Sequence, residues 1–392
     1  MLSKISILLM SHKMNLGGTE KALLSFLNGL DNKKHHVTLL LLESGGDLFD
    51  AIPEWVQVEI LPNFEEIKPI IFSPPHHLAK SKFLSGKFFE AFRTIKRYFT
   101  IKLTDRWYVN YIYALKNTPI IYHADVAIAF AGPSDFITYY VSEKVQAKTK
   151  YQWIHFDVGE VIQNKKFGNT YYPLFDKIFC VSENAKRSFE KMFPLLLSKT
   201  SVFKNIVSHA LVREQSTKGD TFSDSYNGLR IITLGRLSQE KGQDMIPEVV
   251  YKLKKEGFNF RWYLIGDGKL YPEMQKKIIS YNLEEDLILL GSKKNPYGYL
   301  RDCDVYVQTS RHEGYCLTLH EAKVFNKPVV TTNFLSASNL VKNKEDGLIV
   351  ETSVEGLFEG VKSLLAEEQL RNRLSQSVLV KDTSSEIEKL FR

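Results

Sequence analysis

Glu313 and Glu321 stand eight positions apart and are the residues of this sequence best placed to do chemistry. An apolar run ends at Val307, and an alanine- and leucine-containing helical pattern begins between the two glutamates. This order predicts a strand, a glycine loop with Glu313, and a helix with Glu321 about one turn inside. Backbone N–H groups from Gly314 to Thr318 would be free at the helix start and would suit an anionic or hydroxyl-rich ligand. Two carboxylates at two depths suit a ligand with hydroxyls at both ends, such as a sugar joined to a ribose.

Cations and glycines occur at two further turns. Arg236 and Lys241 lie five positions apart in a glycine-bounded loop after an apolar strand pattern, where they can stabilise a diphosphate that gains charge as it leaves. Gly17 and Gly18 follow the first predicted strand and precede a helix, so the backbone there can approach a phosphate or hydroxyl closely. Taken alone, these residues are equally compatible with solvated loop cations and an ordinary turn.

The motifs together resemble those of retaining glycosyltransferase family 4. From 313 to 322 the sequence reads Glu-Gly-Tyr-Cys-Leu-Thr-Leu-His-Glu-Ala, which resembles the paired-glutamate motif of that family. Leu-Gly-Arg-Leu-Ser-Gln-Glu-Lys-Gly at 234–242 is similar to its diphosphate-binding loop, and Gly-Gly-Thr-Glu at 17–20 to its N-terminal glycine loop. The resemblance covers most of residues 230–350 and the first 30 residues.

The resemblance implies an α/β protein of the GT-B fold, with two Rossmann-like doubly wound domains facing a central cleft. It places Arg236 and Lys241 on the donor diphosphate, Glu313 near the donor hexose and Glu321 near the ribose hydroxyls. The family's retention of configuration is usually explained by front-face attack. The donor-binding residues that it implies are Gly17, Gly18, Arg236, Lys241, Gly314, Tyr315, Cys316, Leu317, Thr318 and Glu321.

A histidine from the N-terminal half completes the expected catalytic set. Tyr-Gln-Trp-Ile-His-Phe-Asp at 151–157 resembles the family segment whose histidine, here His155, reaches the donor sugar. Asp157 either accepts a proton from the acceptor hydroxyl or caps the next element. His155, Glu313 and Asp157 are therefore the expected catalytic residues. Cys316 is a departure, because family members often have glycine there, and its side chain would narrow the hexose pocket or restrict the loop.

The elements that must position these residues alternate between strand and helix patterns, which indicates parallel sheets. We predict an N-terminal domain over 1–210, a linker over 211–229, a C-terminal nucleotide-sugar domain over 230–375, and a helix over 376–392 that crosses back, with 384–391 as its core. The predicted strands cover 5–10, 37–42, 56–60, 124–130, 177–181, 230–234, 261–265, 287–290, 304–308, 327–331 and 348–350.

A basic and aromatic insertion at about 61–120 interrupts the first half. Residues 80–106 contain eight Lys or Arg against two Asp or Glu, with aromatic residues between them. Residues 1–205 hold 26 Lys and Arg against 19 Asp and Glu, whereas 206–392 hold 26 of each, so the first half carries the whole excess. Either residues 80–107 lie at an anionic membrane surface, or they form an ordinary amphipathic helix whose aromatics pack on the first sheet. No recognition module points to nucleic acid.

Composition and length restrict the class of protein. A chain of 392 residues with 44% hydrophobic and 25% charged residues is typical of two globular domains. The three cysteines have no metal-like spacing, and the apolar run at 5–10 is too short for a signal or a membrane span. Asp302-Cys303-Asp304 mimics a metal motif, but it lies at the entry of a buried strand, so we expect no metal and no cofactor. We expect a cytoplasmic protein, peripheral on the inner face of the membrane.

The expected function is transfer of a hexose or N-acetylhexosamine from a nucleotide-diphosphate sugar to a lipid-linked or oligosaccharide acceptor. The donor is expected to be a UDP-sugar, with a GDP-sugar as the alternative, and the product a capsule- or lipopolysaccharide-type surface polysaccharide. Two alternatives stay open. One is a nucleotide-sugar epimerase on the same scaffold, and the other is a non-catalytic nucleotide-sugar-binding partner.

Overall fold

Two parallel sheets, each with its own helices and core, organise the chain. They belong to two compact units, Met1–Lys204 and Asn205–Arg392, each of which is described by itself below. The computed structural model describes residues 4–73, 75–156, 158, 165–377, 387 and 390.

The first unit contains a seven-stranded parallel sheet in the order β3-β2-β1-β4-β5-β6-β7. Strands of such a sheet are buried on both faces, and the last five residues of β1 are accordingly all buried. The strands are β1 Ile5–Ser11, β2 His35–Leu41, β3 Gln57–Ile60, β4 Tyr122–Ala129, β5 Val145–Ile154, β6 Lys177–Cys180 and β7 Thr200–Val202. The helices are α1 Gly18–Gly29, α2 Phe64–Phe72, α3 Pro75–Leu84, α4 Phe88–Thr104, α5 Val109–Ala114, α6 Asp135–Lys144, α7 Lys165–Tyr171 and α8 Glu183–Met192.

The second unit contains a six-stranded parallel sheet in the order β10-β9-β8-β11-β12-β13. Its strands are β8 Leu229–Leu234, β9 Phe260–Ile265, β10 Leu287–Leu289, β11 Val305–Gln308, β12 Val329–Thr332 and β13 Leu348–Val350. Its helices are α9 His209–Lys218, α10 Ile246–Lys255, α11 Tyr271–Ser280, α12 Tyr297–Asp302, α13 Leu317–Val324, α14 Ala337–Leu340, α15 Val354–Ala366 and α16 Glu368–Gln376.

Each sheet has a switch point, where the chain stops adding strands on one side and continues on the other. In the first sheet it lies between β1 and β4, and in the second between β8 and β11. Open parallel sheets bind ligands at the carboxyl ends of the strands that flank this point. The fold therefore predicts one candidate site in each unit.

Most predicted strands lie within one or two residues of the observed ones, because buried parallel strands are visible as apolar runs. The predicted linker over 211–229 contains helical residues as far as Lys218. Helix α9 begins at His209 and packs on the second unit, where Arg213 donates to the Val324 carbonyl at 2.9 Å and Asn295 to the Gln215 carbonyl at 2.7 Å. The boundary between the units lies after Lys204, earlier than predicted. Most of the predicted C-terminal helix over 376–392 lies outside the described residues.

The insertion consists of helices α2 to α5. Its aromatic side chains do not all pack on the first sheet, since Phe88, Phe89 and Phe92 are 60%, 72% and 66% exposed. The interpretation as an ordinary amphipathic helix with its aromatics buried is therefore wrong for α4. None of the helices within the described ranges is both long and apolar enough to cross a membrane.

Candidate functional site

The loop after β8 is held by the turn after β9. The amide of Gly235 donates to the Ile265 carbonyl and that of Leu237 to the Asp267 carbonyl, both at 3.0 Å. Gly266 has φ +148°, and a Cβ there would lie 1.9 Å from the Gly235 oxygen. Only glycine permits this close approach. The segment 266–268 thus positions the predicted diphosphate loop.

The loops after β8 and β11 are joined directly. Thr309 Oγ1 donates to the Lys241 carbonyl at 2.8 Å, and the amide of Arg311 donates to the Glu240 carbonyl at 2.8 Å. Gly242 has φ +68° and no space for a side chain, because a Cβ would lie 2.1 Å from the Thr309 oxygen. These contacts bring two segments about 70 residues apart in sequence to the switch point of the second sheet.

Lys241 and Glu313 form an ion pair at this junction. The Lys241 ammonium donates to Glu313 Oε1 at 2.8 Å and to Oε2 at 2.7 Å. The Glu313 side chain is 6% exposed and that of Lys241 is 27% exposed. Burial alone would lower the pKa of Lys241, but the Glu313 carboxylate outweighs it, so the pKa is raised above its ordinary value. Lys241 therefore carries its positive charge near pH 7.

Two further side chains fix the Glu313 carboxylate, and the sequence did not identify them. Ser310 Oγ donates to Oε1 at 2.6 Å, and Gln308 Nε2 donates to the same oxygen at 3.1 Å. Gln308 is itself held, since its Oε1 accepts from Tyr306 and from Thr318. The signal available in the sequence was a glutamine at the end of an otherwise apolar strand, a position that faces the carboxyl edge.

Helix α13 begins as predicted inside the motif. Cys316 is its N-cap residue, with φ 57° and ψ 62°, a left-handed conformation in which glycine is favoured. Its side chain is buried, and burial raises the pKa of the thiol well above its ordinary value. Within the described ranges, the amides from Gly314 to Thr318 meet no protein acceptor. These amides are available to a ligand, and the side chains of Leu317 and Thr318 beside them are half-buried.

Glu321 lies one turn into α13 and is buried. Its Oε1 accepts a hydrogen bond from the Tyr297 hydroxyl at 2.8 Å. Burial, and then the Glu321 carboxylate, raise the pKa of Tyr297 well above its ordinary value, so the hydroxyl remains a donor. Tyr315, at the start of the motif, is buried and stacks on His320 with ring centroids 4.6 Å apart.

Arg236 differs from Lys241 in its surroundings. Its side chain is exposed, whereas its backbone carbonyl accepts from Gln243 Nε2 at 3.0 Å. The backbone of the loop is thus fixed while the guanidinium remains in solvent. Such a cation is well placed to bind an anion that arrives from solution.

The first unit carries its candidate residues at and beside its own switch point, at the carboxyl ends of β1 and β5. Gly17 is the N-cap residue of α1, directly after the loop that follows β1, and Gly18 is exposed with open space beside it. His155 follows β5, and its Nε2 lies 2.8 Å from the Phe130 carbonyl at the end of β4. The two glycines follow β1 and the histidine follows β5, and β4, which ends at Ala129 just before Phe130, lies between these two strands.

His155 is a neutral imidazole with one nitrogen unused. Because a carbonyl can only accept, Nε2 must carry the proton, and Nδ1 presents a lone pair. Nδ1 is buried and has no hydrogen-bond partner within the part of the chain that the structure describes. Burial lowers the pKa of His155 to about 4, although the bond to Phe130 opposes this shift. His155 can therefore accept a hydrogen bond at neutral pH but cannot donate from Nδ1.

The structure thus brings Lys241, Glu313 and the start of α13 together in the second unit. Asp157 lies outside the described residues. Both carboxylates of the Asp302-Cys303-Asp304 segment have protein partners. Asp302 pairs with Arg301 at 2.7 Å, and Asp304 accepts a hydrogen bond from the Arg230 amide at 2.7 Å. Over the ranges described, no group of His, Cys, Asp and Glu could hold a metal ion.

Residues 225–378 match the family model of the glycosyl transferases group 1. This part of the chain is a group 1 glycosyltransferase domain. It contains Arg236, Lys241 and the whole of the Glu313 to Glu321 motif, so the resemblance noted in the sequence is confirmed at the level of this family.

The sequence of the chain is similar to curated proteins that are named as glycosyltransferases. It is 28% identical over 210 residues to the N-acetylgalactosamine-N,N'-diacetylbacillosaminyl-diphospho-undecaprenol 4-alpha-N-acetylgalactosaminyltransferase of Campylobacter jejuni, covering 53% of this chain and 56% of that protein. It is 27% identical over 207 residues to the amylovoran biosynthesis glycosyltransferase AmsD of Erwinia amylovora, covering 53% and 57%. The chain spans about half the length of the curated relatives it matches.

The chain is also similar in fold to solved structures over nearly its whole length. The Anabaena protein HepE in complex with UDP and glucose has a TM-score of 0.69 at 16% identity, covering 99% of this chain and 98% of that one. A mutant of TarM from S. aureus, in complex with Fondaparinux, alpha-GlcNAc-glycerol and UDP, has a TM-score of 0.70 at 13% identity and covers 99% of each chain. The predicted GT-B fold class is confirmed, with its two Rossmann-like parallel sheets.

Proposed function

We propose that the chain is a retaining, metal-independent glycosyltransferase. It transfers a hexose or N-acetylhexosamine from a nucleotide-diphosphate sugar, UDP-linked in the first instance, to a lipid-linked glycan in surface polysaccharide biosynthesis. The observation that carries the proposal is the Lys241–Glu313 pair, fixed at a switch point beside an exposed arginine and unoccupied helix-start amides.

Departure of the nucleoside diphosphate requires positive charge where negative charge develops. Arg236 supplies a mobile guanidinium. Lys241 has three N–H bonds, and its contacts to Glu313 use two, which leaves one for a phosphate oxygen. The amides from Gly314 to Thr318 add neutral donors at the helix start. Because Glu313 is bonded to Lys241, whereas the Arg236 side chain is exposed, Arg236 is the cation of this set that a diphosphate from solution reaches first.

The surroundings of Glu313 favour hydroxyl binding over nucleophilic attack. Its carboxylate accepts hydrogen bonds from Lys241, Ser310 and Gln308. These bonds stabilise the negative charge of the carboxylate and so make it a weaker nucleophile. A carboxylate held in this way is a rigid acceptor for a sugar hydroxyl. This supports retention by front-face attack without a covalent glycosyl–enzyme intermediate. Glu321, held by Tyr297, would accept from the ribose hydroxyls one turn deeper.

The first unit would contribute a neutral acceptor. His155 Nδ1 can accept a hydrogen bond from a donor-sugar hydroxyl. In the glycine loop, the open space beside Gly18 lets a ligand approach the protein backbone. Asp157 stays a predicted acceptor-side base.

The names of the relatives support the acceptor class. The Campylobacter relative is named for a diphospho-undecaprenol substrate, and the Erwinia relative for amylovoran biosynthesis. HepE was solved with UDP and glucose. A lipid-linked glycan acceptor and a UDP-sugar donor are therefore the first choices for assay.

A panel of UDP- and GDP-sugars tests the proposal, assayed for nucleoside diphosphate release with and without polyprenyl-diphosphate-linked acceptors. We expect one donor class to give equal amounts of nucleoside diphosphate and elongated glycan, in EDTA as well as in buffer. An α-linked donor should give an α-linked product by NMR, and Glu313→Gln should lose the activity. Isomerisation of the donor without release would show the epimerase, and tight donor binding without release would show the non-catalytic partner.

A further inference from the structure

Helix α4 turns its apolar stripe toward solvent. The stripe residues recur at spacings of three and four, which places them on one face of the helix. All are exposed, at 60% for Phe88, 66% for Phe92, 43% for Ile95, 54% for Phe99 and 85% for Leu103. The opposite face buries Ala91, Thr94 and Arg97. An ordinary surface helix has the reverse arrangement, so this apolar face needs another partner.

The tip between α3 and α4 extends the stripe. Phe83, Leu84 and Phe89 are 60%, 76% and 72% exposed, and the rings of Phe83 and Phe88 lie 5.1 Å apart across the turn. Residues 75–104, which we term the aromatic hairpin, also enclose an apolar cleft of about 330 Å³ between their two helices. The hairpin therefore presents one continuous apolar surface.

Cations surround this surface, and its acids are neutralised. Glu90 pairs with Lys82 at 2.8 Å, and Asp105 lies 3.9 Å from Lys166. The exposed cations along and beside the stripe are Lys80, Lys87, Arg93, Lys96, Lys102 and Arg106. An apolar stripe with positive charge at its margins is the pattern of a helix that lies in the interface of an anionic bilayer.

The buried side of α4 is fixed to the first unit. The guanidinium of Arg97 lies 4.2 Å from the centroid of the Tyr113 ring on α5, and Lys166 Nζ donates to the Thr104 carbonyl at 3.0 Å. The hairpin thus has one side attached to the protein and the other side free.

From these observations we infer that the aromatic hairpin docks the chain on an anionic bilayer surface. The phenylalanines of α4 enter the boundary between headgroups and acyl chains, and the lysines and arginines meet lipid phosphates. Docking goes beyond the proposed sugar transfer and does not rest on it, because it involves different residues and needs no nucleotide.

Vesicle binding tests the inference with the full chain and no nucleotide. We expect co-sedimentation with vesicles of phosphatidylcholine and phosphatidylglycerol, weakened by salt and much weaker with phosphatidylcholine alone. Phe89→Ser with Phe92→Ser should lower the partition coefficient about a hundredfold. Arg93→Gln with Lys96→Gln should lower it about thirtyfold at low salt. All four side chains are exposed, so the variants should fold.

Matched changes elsewhere in the first unit serve as controls. Leu195→Ser removes an apolar side chain that is 92% exposed, and Lys33→Gln with Lys191→Gln removes two exposed cations; both variants should bind as the parent does. Phe92→Trp should show blue-shifted fluorescence that brominated lipids quench, and Leu195→Trp should not. Equal loss in the controls, or no binding of the parent to anionic vesicles, overturns the inference. So does a parent dimer in sedimentation that dissociates on the phenylalanine changes, because the stripe would then face a second copy.

Discussion

At the switch point of the second sheet, Lys241 and Glu313 form an ion pair, whereas in the first sheet His155, one strand beyond the switch point, is neutral beside Phe130. The charged pair is surrounded by side chains that donate to the carboxylate. One ring nitrogen of the histidine is bonded to a carbonyl, and the other has no hydrogen-bond partner among the described residues. The carboxyl edges of two similar sheets thus carry different chemistry: one can bind charge, and the other can accept one hydrogen bond.

Breaking the ion pair should have the largest effect. Lys241→Ala or Glu313→Ala leaves a buried charge without its partner, which should cost about 3 kcal/mol of unfolding free energy and about a thousandfold in kcat/KM. The stability cost arises because the Glu313 side chain is only 6% exposed. Urea denaturation and the release assay measure the two effects.

The double variant sharpens this test. Lys241→Ala with Glu313→Ala removes both charges, so it should be more stable than the sum of the two single losses predicts. Additive losses would show that the two charges do not stabilise each other.

Removing the exposed cation should reduce activity without a stability cost. Arg236→Ala should lower kcat/KM about thirtyfold, mainly through a raised donor KM, while unfolding free energy changes by less than about 0.5 kcal/mol. Arg187→Ala, on the other unit, is a matched control of an arginine outside the site. A loss of stability in Arg236→Ala as large as in Lys241→Ala would contradict the difference drawn between the two cations.

His155→Gln should lower kcat/KM about tenfold, since one hydrogen bond is lost. It should also change the pH dependence of stability. The folded pKa is about 4 against 6.5 for an ordinary histidine, because of burial, so between these values the unfolded chain binds a proton that the native protein does not. In the parent, the neutral His155 therefore contributes at most about 3 kcal/mol to the free energy of unfolding. This contribution is fully present above pH 6.5 and is lost as the pH falls toward 4.

The comparison of parent and His155→Gln isolates this contribution. Burial raises the pKa of Asp135 to about 6, so its contribution to stability falls as pH rises, opposite to that of His155. Both proteins contain Asp135, and its contribution therefore cancels when their unfolding free energies are subtracted. Unfolding free energies at pH 7 and pH 5 that fall equally in both proteins would contradict a buried neutral His155.

The smallest effect is expected at the deeper carboxylate. Tyr297→Phe removes the 2.8 Å bond to Glu321 and should cost about 1 kcal/mol of unfolding free energy and about fivefold in donor affinity, measured by calorimetry. Tyr299→Phe, on the same helix, is the control. Unchanged donor affinity in Tyr297→Phe would remove Glu321 from the site.

The sequence predicted those features, such as strands and loops, that are determined by residues close together along the chain. Apolar runs indicated β1 and β8, and the short motifs placed Arg236, Lys241 and Glu313 in loops at strand ends. It missed what depends on distant partners. Gln308 and Ser310 are ordinary polar residues until the fold brings Glu313 to them.

Two other features also depend on distant partners. The stretch over 211–229 is polar enough to suggest a linker, yet its first part belongs to α9, which is held by side-chain bonds to distant carbonyls, such as Arg213 to Val324. In α4, periodicity indicates an apolar stripe, but it does not say whether that stripe faces the protein or solvent.

The most direct test of the central claim is a crystal structure of the chain with a non-transferable UDP-hexose analogue. The account predicts the diphosphate within hydrogen-bonding distance of Arg236, Lys241 and the amides that begin α13, with the hexose hydroxyls at Glu313. A bound nucleotide that leaves Arg236 and Glu313 without a ligand contact would contradict it.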